Sequence, residues 1–358
     1  MIILFRPLPP FVEFCKVEND KISIDKVLLD QDGINKIIED VGAEGQLEGI
    51  GCLLKHGGEL FAETASLINE EILNKVSESI RLAPEYNELT LKVARVFFEK
   101  FSGIPQVLFC DTAYFSNLPD EASTYAVPYV LREQGIRRYG GYGLIHNWIW
   151  KRTQQYDGRN INKIVSIRLG DTPNIAAIKE GMPVETTIGF TSVEGLPSFQ
   201  GCGDIDPTIV FQLNSSGVSL QEIHNLLSND SGFSGFSGQT CHYLDVIKNK
   251  PTTDIFKVKE ILRYDIIKYI GAYVSLLGGV DALVFSASYL KESERFIKEI
   301  CNRLNFLGLI REKSQDIKSP VQELTKKGSK IKVLCMEQSQ RDIMAQAVKK
   351  TIKKGVII

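Results

Sequence analysis

Four parts of this 358-residue chain carry residue types, in surroundings, that could do chemistry. Asp111 directly follows Gln106–Cys110, an apolar run that reads as a buried strand. An acid at the C-terminal end of such a strand is where α/β folds place chemistry, although Asp is also a good turn cap, and both readings stay open. His56 opens the turn His56-Gly57-Gly58-Glu59 after the apolar Gly49–Leu54, either as a titrating group or as turn structure. Arg168 lies near the end of the alternating stretch Lys163–Leu169, where it can meet an anion or pair with Asp171 in the following turn. The longest of the four is Gly189–Pro207, GFTSVEGLPSFQGCGDIDP, a Gly-, Pro- and Ser-rich loop closing on an acid beside proline, which reads as a helix start. A glycine-rich loop running into a helix N-terminus suits an anion, because backbone N–H groups and the helix dipole point at it. It is equally read as a long loop with a capped helix.

The elements that must position these residues alternate between strand and helix. Ile2–Phe5 and Phe11–Val17 read as a hairpin around Arg6-Pro7-Leu8-Pro9-Pro10, a turn poor in N–H donors. A helix over Asp32–Val41, with Asp32 as its N-cap, precedes the strand Gly49–Leu54. Apolar Leu67, Ile72, Leu73, Val76 and Ile80 have the spacing of a helix over Glu63–Arg81, and Leu89–Lys100 is the next helix. Further on come a hairpin of Lys163–Leu169 with Ile175–Ile178, helices at Ser219–Leu227 and Phe256–Leu277, and the buried strand Ala282–Phe285. A helix at Glu294–Asn305, a strand at Ile331–Met336 and a helix at Asp342–Lys353 end the series.

Composition narrows the function classes. With 43% hydrophobic and 24% charged residues, the chain reads as a soluble globular protein long enough for two domains. A net charge of -2 gives no reason to expect nucleic acid or an anionic membrane as partner. Seven scattered cysteines with no CxxC pair fit reduced thiols and a cytoplasmic location, and argue against a disulfide frame or a zinc site. The start, MIILFRPLPPFVEF, is too short and too interrupted by proline for a signal peptide or a membrane span.

The segments Gly189–Leu196 and Gly203–Pro207 resemble the signature of the acetate kinase (acetate and propionate kinase) family, Gly-Phe-Thr-Pro-Leu-Glu-Gly-Leu followed by Gly-Thr-Arg-Ser-Gly-Asp-Ile-Asp-Pro. Asp111–Ala113, Ile136–Gly140 and Ile270–Phe285 are similar to further blocks of that family, and the resemblance runs in order over nearly the whole chain. It implies an α/β, two-domain sugar kinase, heat-shock chaperone and actin-like (ribonuclease H-like) fold with a central cleft. It implies an N-terminal domain over 1–111, with the C-terminal helix 341–358 packing on it, and a second domain over 112–340 carrying a homodimer interface. The implied reaction is ATP and acetate to ADP and acetyl phosphate, with Mg-ATP as cofactor and Asp111 at the place of the catalytic Asp.

The same resemblance shows what has changed. Leu53 and Gly201 stand where the family has its two arginines, and Tyr86 and Tyr142 where it has two histidines. Gln340 replaces a glutamate on the magnesium side, while His146 keeps a family histidine and reads as packing. In the phosphate turn Gly170 remains, with Arg168 in place of a His. Gly235, Ser237 and Gly238 are left of a segment beside the nucleoside, followed by His242 and Leu244 in place of an Asp and an Arg. The acyl pocket's apolar positions are Lys55, Glu85, Gly141 and Ser192, and Lys55 with Glu85 is expected to form a pair that closes it. Phosphoryl transfer depends on positioning, a metal and cations on the equatorial oxygens. The pattern therefore implies a degenerate relative with weak or no kinase activity and a binding or regulatory role, as a homodimer or with an active paralogue. The alternative is a working acyl kinase that uses Asp111, Arg168 and Lys55 on a different or larger carboxylate.

Overall fold

The computed structural model describes residues 1–18, 21–28, 30–43, 47–157, 160–248, 252–310 and 321–354. They form two compact units. Unit 1 comprises Met1–Asn117, Gly141–Ile145 and Ser339–Ile358, and unit 2 comprises Leu118–Gly140 and His146–Gln338. The last four residues of the expected helix 341–358 lie outside the described residues.

Unit 1 is built on a six-stranded mixed sheet. Its strands are β1 (Ile2–Leu8), β2 (Phe11–Glu18), β3 (Lys21–Leu28), β4 (Gly49–Leu54), β5 (Ala65–Leu67) and β6 (Gln106–Cys110), in the order β3-β2-β1-β4-β6-β5. The central β4 and β6 run parallel and are buried at every position, which is why, apart from Gln106 at the start of β6, they read as apolar runs. Helices α1 (Gln31–Ala43), α2 (Glu70–Ser79) and α3 (Pro84–Lys100) supply much of its apolar cover.

Several expectations shift here for physical reasons. Strand β1 runs through Arg6, Pro7 and Leu8, so the turn is narrower than expected, at Pro9-Pro10. Pro7 is tolerated because β4 pairs with β1 only as far as Phe5, leaving no ladder partner in need of the missing N–H. Helix α1 is capped by Asp30 rather than Asp32, since Asp30 Oδ1 accepts the Gly33 N–H at 2.8 Å. The expected helix over Glu63–Arg81 is divided. Ala65–Leu67 pairs antiparallel with β6, and Asn69 then caps α2 by accepting the Ile72 N–H at 2.8 Å. Helix α3 begins at Pro84, five residues ahead of the expected start, with proline at its first turn.

Unit 2 contains α4 (Asp120–Ser123), α5 (Tyr129–Glu133), α6 (Gly143–Asp157, its first turn counted with unit 1), β7 (Lys163–Leu169), β8 (Asn174–Lys179) and β9 (Met182–Thr186). It continues with α7 (Thr208–Ser215), α8 (Leu220–Ser228), α9 (Gly232–Ser237), α10 (Tyr243–Ile247) and α11 (Thr253–Leu276). Strand β10 (Ala282–Ala287), helix α12 (Leu290–Arg303), β11 (Val321–Glu323) and β12 (Lys332–Glu337) complete it. Its mixed sheet has the order β11-β12-β10-β7-β8-β9, with β10 parallel to both β7 and β12.

Helix α13 (Gln340–Lys354) belongs to unit 1. It approaches the sheet closely enough that a Cβ on Gly49 of β4 would come 2.7 Å from the side chains of Val348 and Ile352, so that one of them would have to shift. At its start, Arg341 forms a bidentate pair with the buried Glu13 of β2, Nε–Oε1 2.9 Å and Nη2–Oε2 2.5 Å. Arg6 Nη1 adds a third contact to Glu13 at 2.9 Å. Burial would raise the Glu13 carboxyl, but the two guanidiniums outweigh it and hold the carboxyl below its ordinary value.

Candidate functional site

Because β4 and β6 are parallel neighbours with Leu54 opposite Cys110, the next residue on each strand, Lys55 and Asp111, emerges at the same edge. The Asp111 N–H continues the ladder to Leu54 O at 3.0 Å. Asp111 has no exposed surface. Lys55 Nζ donates to its Oδ2 at 3.2 Å, and the Gln340 Nε2 amide donates to its Oδ1 at 3.2 Å. Lys55 Nζ also lies 4.2 Å from the centre of the Tyr142 ring. Tyr142 holds a left-handed backbone, φ 56°, uncommon for a bulky residue and a strain that the surrounding packing must support. Burial alone would lower the Lys55 pKa, but the Tyr142 phenol and the Asp111 carboxylate hold it above the ordinary lysine value.

This geometry corrects the expected Lys55–Glu85 pair. Glu85 sits exposed in the first turn of α3, while the lysine turns to the buried carboxylate that needs a counter-charge. Tyr86 is 37% exposed, and burial raises its phenol. Leu53 is buried beside a void of about 10 Å³ with Phe5, Pro7, Leu89 and Val93, which offers no room for a ligand. Gly141 is buried in unit 1, whereas Ser192 is exposed in unit 2.

His56 has a turn-building role. Its Nδ1 accepts the Gly58 N–H at 3.1 Å, its own N–H meets Asn87 Oδ1 at 3.3 Å, and its carbonyl accepts Asn87 Nδ2 at 2.7 Å. The side chain is buried in these contacts.

Within unit 2, His146 has no exposed surface, as its packing reading anticipates. Nδ1 lies 2.8 Å from Ser166 Oγ and Nε2 lies 2.8 Å from Asn174 Nδ2. With the amide N–H directed at Nε2, the neutral ring carries its proton on Nδ1 and gives it to Ser166. Burial, reinforced by the Arg168 charge, lowers its pKa to about 3.

Arg168 Nη1 donates to the Thr172 carbonyl, across its own turn. The Asp171 carboxylate is engaged elsewhere than in the expected pair with Arg168. Oδ2 lies 3.0 Å from His242 Nδ1, and Oδ1 accepts the Tyr243 N–H at 2.8 Å. The His242 ring stacks on Phe199 with centroids 4.1 Å apart. Nothing local in the sequence signals the Asp171–His242 contact, because the two residues are 71 positions apart. The Lys55–Asp111 contact had a signal, since both residues directly follow buried apolar strands of the same domain.

The Gly189–Pro207 loop is pinned at its acids. Glu194 takes Arg138 Nη2 at 2.7 Å and the Tyr125 hydroxyl, while Asp204 takes the Gly195 N–H at 2.9 Å and the Tyr269 hydroxyl. Helix α7 starts at Thr208, whose N–H donates to Asp206 Oδ1 at 2.8 Å. Gly201 is buried and closes on Ser198, its N–H donating to Ser198 Oγ at 2.8 Å. Gly235 and Ser237 lie in the short α9, with Gly238 ending it at φ 68°. Beside them is a cavity of about 580 Å³ with Phe233, Phe236 and Ile261 in its walls and three acids, Asp204, Asp230 and Asp265, but no cation. Of these acids, Asp265 is paired with Lys268 at 2.9 Å, and an acidic wall disfavours a polyphosphate.

Magnesium fits poorly. It is bound through carboxylate oxygens, waters and substrate phosphates. Asp111 is the one acid of its cluster and already takes an ammonium and an amide. Among the described residues no group of three or more His, Cys, Asp or Glu could hold a metal ion, and no helix is long and apolar enough to cross a membrane.

Comparison with known proteins shows a match to the family model described as "Acetokinase family" over residues 13–346. The chain is 33% identical over 359 residues to the acetate kinase of Thermosipho melanesiensis, covering 95% of this chain and 88% of that one. It is 32% identical to the acetate kinase of Clostridium novyi, covering 91% and 81% respectively. Its structure is similar to that of Porphyromonas gingivalis acetate kinase, with a TM-score of 0.86 at 25% identity over 99% of both chains. The fold is also that of Entamoeba histolytica acetate kinase, with a TM-score of 0.87 at 22% identity over 98% of both. With a mixed sheet and flanking helices in each unit, the fold is the α/β two-domain class named for sugar kinases, heat-shock chaperones and actin.

Proposed function

Because this chain belongs to the acetokinase family, we propose that it is a member in which acetyl phosphate formation has become weak or absent and a binding or regulatory role remains. The observation that carries this reading is the state of Asp111. The carboxylate at the family's catalytic position is fully buried, neutralised by Lys55 and hydrogen-bonded by Gln340. Leucine at 53 and glycine at 201 supply no cation for a transferring phosphoryl group, and loss of one such arginine lowers rates by on the order of 10³–10⁵. The test is acetyl phosphate formation from Mg-ATP and acetate, trapped as the hydroxamate, for the natural chain and Asp111→Asn. Product no greater than in the variant is expected. Product that disappears in the variant would show that Asp111 still works and would overturn the proposal.

One observation favours the second reading, a rewired carboxylate kinase. Lys55 keeps a positive charge beside Asp111, which suits an additional anionic group on a larger acid. In the same assay, Asp111-dependent hydroxamate from a dicarboxylic acid would select it.

Self-association through unit 2 is part of the proposal. Helix α7 has no buried residue, yet it exposes Ile209 (42%) and Phe211 (69%), with Leu220 (67%) just beyond. We take these exposed apolar side chains of two consecutive helices as the association surface. Phe211→Asp is expected to lower the mass seen by light scattering from two chains to one, at least tenfold weakening in the ~1.4 kcal/mol-per-decade arithmetic of binding. A natural chain that is monomeric at micromolar concentration would rule the homodimer out.

A further inference from the structure

Asp111 is surrounded by a set of residues that is complete without a metal. One oxygen takes the Lys55 ammonium, the other takes the Gln340 amide, and the carboxylate reaches no solvent. The ammonium is held from a second side by the Tyr142 ring. Charges balance within this group, with one carboxylate, one ammonium and one neutral amide. An acid at position 340 would face Asp111 as a like charge, and a metal between them would be needed to make that arrangement favourable. Glutamine instead turns an N–H towards Asp111, which is favourable only where no cation intervenes.

From these contacts we propose that the Lys55 ammonium is a tethered replacement for a divalent cation, and that it closes Asp111 to magnesium and its analogues. The proposal rests on the reading of this chain as a family member with a dismantled transfer site, and gives that loss a chemical form. The exchange is concerted. A lysine supplies the charge, a glutamine removes the acid that a metal would need, and the tyrosine at 142 holds the lysine in place. A divalent ion approaching Asp111 meets a fixed like charge 3.2 Å from the oxygen it requires.

The test uses Mn²⁺ as the probe, followed by electron paramagnetic resonance and by thermal shift on the full chain. The natural protein and Asp111→Asn are expected to bind Mn²⁺ equally weakly. Gln340→Glu alone should gain nothing, because Lys55 remains. Lys55→Met combined with Gln340→Glu should bind at least about tenfold more tightly than the natural protein, since two acids then face each other without a cation. That gain should vanish when Asp111→Asn is added. The double variant should also be destabilised without metal and recover on adding Mn²⁺, because an ion that binds only the folded state stabilises it. Mn²⁺ binding by the natural protein that Asp111→Asn removes would overturn the proposal. A double variant that folds without gaining Mn²⁺ affinity, or that stays unfolded in its presence, would do the same. Acetyl phosphate formation by the natural protein would instead overturn the functional reading, so the two failures are told apart.

Discussion

Lys55→Met is expected to destabilise the protein by about 3 kcal/mol, because it leaves the buried Asp111 carboxylate with an amide but no counter-charge. The lysine is mostly enclosed, with a fifth of its side chain exposed, so solvent screens little of this cost. Asp111→Asn should cost less, since the ammonium keeps the Tyr142 ring and some access to water. The double variant Lys55→Met with Asp111→Asn should be more stable than the sum of its parts. A buried pair replaced on both sides loses its mutual attraction and its desolvation penalty together. Urea unfolding of the four proteins forms the cycle, and a coupling of about 2 kcal/mol is expected for groups in direct contact. A coupling below about 0.5 kcal/mol would mean that the pair contributes nothing beyond independent neighbours.

The second large effect is an acid sensitivity centred on His146. Its folded pKa, about 3, lies below the ordinary histidine value of 6.5. The unfolded chain therefore takes up a proton between these values while the folded protein does not. Stability from this group is fully present above pH 6.5 and is lost as pH falls towards 3, at about 1.4 kcal/mol per pH unit. Between pH 6.5 and 4.5 that is roughly 3 kcal/mol. The cause is burial first and the Arg168 charge second. His146→Gln keeps a neutral hydrogen-bonding side chain and removes the titration. The unfolding free energy of the natural protein should fall more steeply than that of His146→Gln over this window. Parallel slopes would show that His146 titrates normally.

Much of the scaffold is legible in the residue pattern. Strands β4, β6 and β10 read as largely apolar runs, with Gln106 and Ser286 the polar positions, because both their faces are covered. Helices α11 and α13 show their bounds to within a few residues. The misses have physical causes. Strand β5 is three residues long and pairs at an edge, too short to display a period, so its leucine counts towards a neighbouring helix. Strand β3 leaves Ile24 46% and Leu28 48% exposed, so alternation there carries no burial signal. At the candidate site the residue types are legible and their partners are not. Lys55 chooses between two acids, and the choice of Asp111 over Glu85 depends on which carboxylate is buried. Gln340 reaches Asp111 from 229 positions away, a contact that only the return of α13 to unit 1 creates.

That return sets an order of events on the ribosome. The strand bearing Asp111 is made long before the helix bearing Gln340, Arg341 and the apolar residues Ile343, Met344 and Val348 that α13 buries. At about 5–20 residues per second, translating the 229 positions between them takes on the order of 10–50 s. Throughout that interval the nascent first unit has the β4 face uncovered and Glu13 without its bidentate partner. The unit synthesised first is thus the one completed last.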